Sequence, residues 1–354
     1  MRTSPRASLP PLKYVVGIDI AKDTFVACFG QLDAQQQLRF DKQTTFDNTP
    51  AGFTSLLHWT AQLQGAGVPL WFVVEATGVY YEGLAYFLAD QQQALSVLLP
   101  NKAKHFAQST ELKSKTDQLD ARLLCRLGLE RQLPAWQPPT PALRRLRALA
   151  RERQTLIAQV TRLKARLHAY RHSYEPEART MERLVAQQAL LKHQQREVDQ
   201  DLAALLSGEP ELARKLAHLT SVPGIGQATA IIIVAETNGF VLVENERQLA
   251  SYAGLDVAQR QSGTVARATR ISRRGNVRLR TALYLPAMSS LRYNPQQMAF
   301  YARLRARQPN GKPGVSAVMR KLLLLCYSLW KNDRPYDPQF HPAHLVKKEV
   351  APAT

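Results

Sequence analysis

The stretch from Tyr14 to about Pro100 most narrows what this chain can fold into. Three apolar or alternating runs, YVVGIDI, TFVACFG and QLRFDKQTTF, follow one another with short breaks; LWFVVEA and LSVLLP then alternate with PAGFTSLLHWTAQLQ and YYEGLAYFLADQQ. Short apolar runs bounded by turn residues read as strands, and the longer runs read as helices, the first with Pro50 and Gly52 in its opening turn. Three strands joined by hairpins, followed by strands alternating with helices, predict a mixed α/β sheet with helices packed on it. That order is the one expected of an RNase H-like fold.

After a proline-rich linker, LPAWQPPTPAL, the pattern changes. Leu149, Leu156, Leu163 and Tyr170 recur every seven residues, with Leu146, Val160, Leu167 and Tyr174 at offset positions. Beyond Pro176, Leu184, Leu191, Val198 and Leu205 resume the period. Two apolar positions per heptad predict a coiled-coil seam, between helices folded back on each other or paired between subunits. Two helices packed on a globular domain is the simpler alternative. The expected organisation is a disordered extension over 1–13, an α/β catalytic domain over 14–136, a coiled coil over 142–207, a mainly α-helical C-terminal domain over 209–342, and a tail over 343–354.

The charge balance says what such a chain meets. A net charge of +19 over 354 residues favours a polyanionic partner, because Lys and Arg that neutralise phosphates release condensed counterions. The charge is concentrated: no acidic residue lies between Asp256 and Asp333, whereas arginines and lysines are frequent there. A solvated face normally mixes both signs, so nucleic acid is the expected partner of this region. No apolar run is long enough for a membrane span, and the basic N-terminus lacks the apolar core of a signal peptide, so a cytoplasmic protein with no membrane partner is expected. Three cysteines, Cys28, Cys125 and Cys326, have no paired spacing and argue against a disulfide framework or a zinc site.

Four carboxylates carry the chemistry of the first half. Asp19 ends the strand VVGID and Glu75 ends WFVVE, which puts both at the carboxyl edge of the sheet, where open α/β sheets bind ligands. In KSKTDQLDARLL, Asp117 and Asp120 stand three apart at the start of a helix and share a face. Singly, each has a structural reading, as a turn residue, a cap or an N-terminal helix acid. Together, oxygen ligands without His or Cys suit magnesium, with manganese as the alternative, and two such ions can clamp the attacking and leaving oxygens of a phosphodiester. Lys113 and Lys115 would sit beside that site and hold the substrate backbone.

Two motifs stand out in the second half. In SVPGIGQATA, Gly224 and Gly226 precede a helix as in a helix-hairpin-helix motif, where small residues let backbone N–H groups approach a phosphate, although glycines between helices are also ordinary turn residues. In RQSGTVARATRISRRGNVRLR, Ser262 precedes Gly263 among Arg260, Arg267, Arg270, Arg273, Arg274 and Arg278, which could hold nucleic-acid phosphates. A serine hydroxyl here is a candidate nucleophile, yet no histidine lies near in sequence, and spacing alone reads it as a turn serine.

The segments GIDIAKDTF, VVEATGVYYEGLAYFL, KSKTDQLDARLL, SVPGIGQATA, LASYAGLDVAQRQSG and RGNVRLRTALYLPAM, in this order over about Tyr14 to Pro342, resemble the DEDD-type transposases of bacterial insertion-sequence family 110, also called bridge-RNA-guided recombinases. The resemblance implies a domain similar to the Holliday-junction resolvase RuvC, with Asp19, Glu75, Asp117 and Asp120 as its metal-binding acids. It further implies Ser262 as a nucleophile that becomes covalently joined to DNA, with Ser272 the less favoured choice. It also implies a homo-oligomer, dimer or tetramer, in which one subunit's acids meet another's serine, and a structured noncoding guide RNA that pairs with donor and target DNA. The competing expectations are a metal-only nuclease or junction resolvase in which water attacks, and a non-enzymatic nucleic-acid-binding protein with a decayed catalytic domain.

Overall fold

The computed structural model describes residues 11–110, 116–258, 261–262, 265–266, 270–307 and 310–339. The protein is mixed α/β and mostly helical, with a five-stranded sheet and twelve helices among the described residues. It divides into two compact units, Met1–Pro138 and Pro139–Thr354.

In the first unit, β1 (Pro11–Ile20), β2 (Thr24–Asp33) and β3 (Leu38–Asp47) form an antiparallel meander. Then come α1 (Pro50–Leu63), β4 (Leu70–Glu75), α2 (Glu82–Asp90), β5 (Ala94–Leu98), α3 (Pro100–Ser109) and α4 (Asp117–Glu130). The sheet order is β3-β2-β1-β4-β5, with β4 parallel to β1 and β5 parallel to β4. β1 is central and buried on both faces, which is why it reads as an unbroken apolar run. Val16, Ile18 and Phe72 enter the core that includes Phe53, Leu56 and Leu84 from α1 and α2. Val15, Cys28 and Val73 enter the opposite core with Phe106 of α3 and Leu124 and Cys125 of α4.

β1 begins at Pro11, inside the extension expected over 1–13. Pro11 pairs with Asp33 and Lys13 with Leu32, and the Lys13 ammonium donates to the Gly128 carbonyl at 2.5 Å, so these residues are held by the sheet and by α4. Residues 1–10 and the expected tail over 343–354 lie outside the described residues.

The second unit starts with two long helices, α5 (Pro141–Arg171) and α6 (Ala178–Gly208). Each has a cap at its start: Thr140 Oγ1 accepts from Leu143 N with Pro141 in the first turn, and the Glu177 carboxylate accepts from the amides of Arg179 and Thr180. They fold back on one another, joined by Leu163, Leu167 and Leu184 near the turn and by an Arg153–Asp199 ion pair of 2.5 Å further down. The helices α7 (Pro210–Thr220), α8 (Gln227–Thr237) and α9 (Glu246–Tyr252) follow. Next is a ribbon of two-residue strands, β6 (Val257–Ala258), β7 (Gln261–Ser262), β8 (Val265–Ala266) and β9 (Arg270–Ile271), and then α10 (Val277–Tyr293), α11 (Pro295–Arg307) and α12 (Gly311–Asn332). The core of this unit draws Leu146 and Ala150 from α5, Ile233 and Val234 from α8, Leu279 and Leu283 from α10, and Leu322 and Cys326 from α12.

Candidate active site

Backbone packing aligns the elements that carry the four acids of the first unit. Ile18 of β1 is level with Val74 of the parallel strand β4, so Asp19 and Glu75 are the next residues along each strand. Alternation puts Asp19 on the face of Val15 and Gly17, and Glu75 on the face of Val73. That face is covered by α4. A Cβ added to Gly128 would lie 2.7 Å from Val15 Cγ1 and 2.8 Å from Val73 Cγ2, and one added to Gly17 would lie 2.2 Å from Ala121 O and 2.1 Å from Cys125 N. Moving back along α4 from Gly128 through Cys125 to Ala121 therefore moves forward along β1 from Val15 to Gly17. The first turn of α4, with Asp117 and Asp120, lies in the direction of Asp19 and Glu75.

Local chemistry stabilises this arrangement. Thr116 caps α4, its hydroxyl accepting from Leu119 N at 3.2 Å, and Asp117 and Asp120 lie at the positive end of the helix dipole. Thr77 Oγ1 donates to Glu75 Oε1 at 3.2 Å. Asp19, Glu75 and Asp120 are half-buried, and Asp117 is exposed. Among the described residues, no three His, Cys, Asp or Glu side chains stand close enough to form a metal-binding group. Asp19 and Glu75 thus stand on the face that α4 covers, the four acids do not close into a ligand cluster, and their all-oxygen donor set is of the kind that suits a hard divalent cation. Lys113 and Lys115 lie outside the described residues.

Behind the acids, Cys125 Sγ donates to Val15 O at 3.2 Å in a fully buried interface. Burial pushes the Cys125 thiol well above its usual range, while a hydrogen bond with Cys125 lowers that of Cys28. The cysteines at this interface are core residues.

In the second unit, Ser262 lies on the ribbon. Val257 pairs with Ile271 and Ala258 with Arg270; further out, Gln261 pairs with Ala266 and Ser262 with Val265. Ser262 therefore occupies the outermost described pair. Only the backbones of Ser262 and Arg270 are described, and Arg260 and Arg267 lie outside the described residues. Arg273 and Arg274 are exposed at the base of the ribbon, and Arg278 donates to Gln154 Oε1 at 3.1 Å. Ser272 is engaged: its hydroxyl donates to the Asp256 carboxylate and accepts from Arg274 N at 3.3 Å.

The two glycines of the PGIG turn differ. Gly224, at φ +102°, packs on α10, and an added Cβ would lie 3.0 Å from Ser290 Cβ and 3.1 Å from Pro286 O. Gly226 is the N-cap of α8 and has open space where its Cβ would be. Close approach of a phosphate backbone is thus available at Gly226, whereas the face of Gly224 is taken by α10.

Sequence reasoning missed a buried polar cluster below the ribbon. Glu236 is 3% exposed, and its carboxylate accepts from Arg151 Nε at 2.7 Å, Arg151 Nη2 at 2.9 Å and Asn276 Nδ2 at 2.7 Å. Burial pushes its carboxyl up, but the bonds from Arg151 and Asn276 and the charges of Arg151 and Arg278 outweigh that and hold it below the usual range. The available signal was a single acid in the otherwise apolar run AIIIVAE.

Two family models and several relatives match the chain. A DEDD-type model of IS110 described as "Transposase" matches residues 16–176, and the model "Transposase IS116/IS110/IS902 family" matches residues 216–302. The pilin gene-inverting proteins of Moraxella lacunata and Moraxella bovis are each 32% identical over 340 residues, covering 93% of this chain and 99% of theirs. The transposase of insertion sequence element IS1111A from Coxiella burnetii is 33% identical over 95 residues, 27% of this chain and 25% of its own. With two family regions matched in order and relatives aligned nearly end to end, this chain belongs to the IS110 family of transposases, enzymes that act on DNA in transposition and recombination.

Proposed function

We propose that this protein excises and inserts its own mobile element through a covalent link between Ser262 and DNA, guided by a structured noncoding RNA. The observation that supports the reading is the placement of Asp19 and Glu75 at neighbouring ends of the parallel strands β1 and β4, on the face covered by α4, whose first turn carries Asp117 and Asp120. The meander followed by parallel strands supports an RNase H-like, RuvC-like domain over 14–136. The helical pair over 142–207 and the C-terminal region over 209–342 are read as an assembly element and a transposase domain.

Asp19, Glu75, Asp117 and Asp120 would hold magnesium, or manganese, which supplies Lewis-acid stabilisation of charge on the reacting phosphate. Ser262 Oγ forms the bond to phosphorus as the bond to the leaving deoxyribose oxygen breaks, and that oxygen ends as a hydroxyl. Reversal of the step on a second strand end rejoins DNA and frees the serine. Arg273, Arg274 and Arg278, with Arg260, Arg267 and Arg270, hold phosphates of the DNA and of the guide RNA. Gly226, at the start of α8, offers backbone N–H groups to a further phosphate. Acids and serine act together across subunits of a homo-oligomer, in the cytoplasm.

The test incubates the protein with the noncoding RNA adjoining its element, magnesium, and labelled donor and target DNA, and looks for a denaturant-resistant protein–DNA adduct. An RNA-dependent adduct that is lost in Ser262→Ala supports the reading. Cleavage without an adduct, unchanged in Ser262→Ala, replaces it with a metal-only nuclease in which water attacks.

A further inference from the structure

The segment that carries Ser262 leaves the helical body at Tyr252 and rejoins it at Asn276, and both ends are tied to one buried residue. Tyr252 Oη donates to the backbone carbonyl of Glu236 at 2.7 Å, and Asn276 Nδ2 donates to the Glu236 carboxylate at 2.7 Å. The Asn276 amide donates to Tyr252 O at 2.7 Å, and Asn276 Oδ1 caps α10 by accepting from Leu279 N at 3.0 Å. Asn276 therefore fixes the end of the segment, the start of α10 and the link to α8 at once.

The neck between these ends is closed. Arg280 Nη1 donates to Ala253 O at 2.9 Å, Arg273 N to Gly254 O at 3.1 Å, and a Cβ on Gly275 would lie 2.4 Å from Tyr252 O. Above the neck, among the described residues, β6 pairs with β9 and β7 with β8. Two-stranded ribbons are marginal in water on their own, so their orientation comes from the neck. A charged carboxylate inside an apolar helix is costly unless fully paired, and here both oxygens are engaged by groups that define the neck and α5.

We propose that Glu236, acting through Asn276 and Tyr252, is a positioning residue that orients the ribbon for attack by Ser262. The proposal rests on the reading of Ser262 as the nucleophile. A nucleophile must be held to within about 0.5 Å of its working geometry, and small misplacements cost large factors in rate. The cluster supplies that constraint from α8, whose neighbours are buried core.

The test compares wild type with Asn276→Ser and Glu236→Gln. Serine keeps the cap of α10 but loses the bond to Glu236, which separates loss of the anchor from loss of the helix start. Hydrogen exchange at Val257, Ala258, Arg270 and Ile271 is read on the free protein, and adduct formation in a single turnover on the labelled DNA with the noncoding RNA. Expected are faster exchange at these four amides and a fall in adduct rate of about a hundredfold, with DNA affinity within about twofold of wild type. Exchange and adduct rates both close to wild type in Asn276→Ser would overturn the proposal, as would faster exchange with an unchanged adduct rate. An adduct that persists in Ser262→Ala would instead overturn the nucleophile reading; it is told apart because the exchange measurement contains no DNA.

Discussion

Gly17 and Cys125 are in such close contact that a Cβ on Gly17 would lie 2.1 Å from the backbone nitrogen of Cys125. This contact seats α4 on the central strand and brings Asp117 and Asp120 towards the edge that carries Asp19 and Glu75. Gly17→Ala should displace α4, lower stability by about 1–3 kcal/mol, and reduce DNA cleavage together with it. Thermal unfolding and a cleavage assay on the same preparations check this; a variant with wild-type stability and activity would show that α4 tolerates the shift.

The acids themselves should behave in the opposite way. Asp19→Asn and Asp120→Asn keep the shape of half-buried side chains, so stability should change by no more than about 1 kcal/mol. On the proposed function, cleavage and adduct formation should nevertheless fall by a factor of about a thousand. Chemical denaturation beside single-turnover kinetics measures both, and a loss of activity only in proportion to lost folding would argue against a catalytic role.

Glu236 makes stability depend on acidity. Its folded pKa is depressed, so its contribution is present above the unfolded value of about 4.3 and is lost as pH falls through the lower folded value. Wild type should therefore lose more stability than Glu236→Gln on going from pH 7 to pH 3. Near pH 7, Glu236→Ala should cost about 2–3 kcal/mol, at the low end for a broken buried pair because the Arg151 side chain is 47% exposed. Urea midpoints across that pH range provide the comparison.

Gly224 and Gly226 should separate packing from recognition. Gly224→Ala puts a Cβ at positive φ against Ser290 and Pro286 and should destabilise the second unit by about 1–3 kcal/mol. Gly226→Ala meets open space and should alter stability by less than about 1 kcal/mol, so a drop in nucleic-acid affinity there reports phosphate contact. Melting curves and binding isotherms at fixed salt distinguish the two.

The cysteines should be silent in the native protein. All three are buried, and burial pushes the Cys326 thiol up to about 12. A thiol reagent at pH 8 should label none of them natively and all three in denaturant. Rapid native labelling of Cys125 would mean that α4 opens from the sheet.

The sequence by itself determined the parts of this protein that depend on neighbours along the chain. β1 was legible because a strand buried on both faces is apolar without alternation, and α5 because Leu149, Leu156 and Leu163 recur every seven residues. Asp19 and Glu75 were legible as strand-end acids, since a strand that stops at a carboxylate is visible in a few letters. Tertiary structure alone decided what lies opposite what: that Gly17 admits α4, that Gly224 faces α10, that Ser272 is held by Asp256, and that Tyr252 and Asn276 meet at Glu236. These pairings join residues far apart in the chain, and their energies come from close packing and from matching buried donors to acceptors. A local pattern of polarity records that a residue is buried; the identity of its partner is set only when the elements pack.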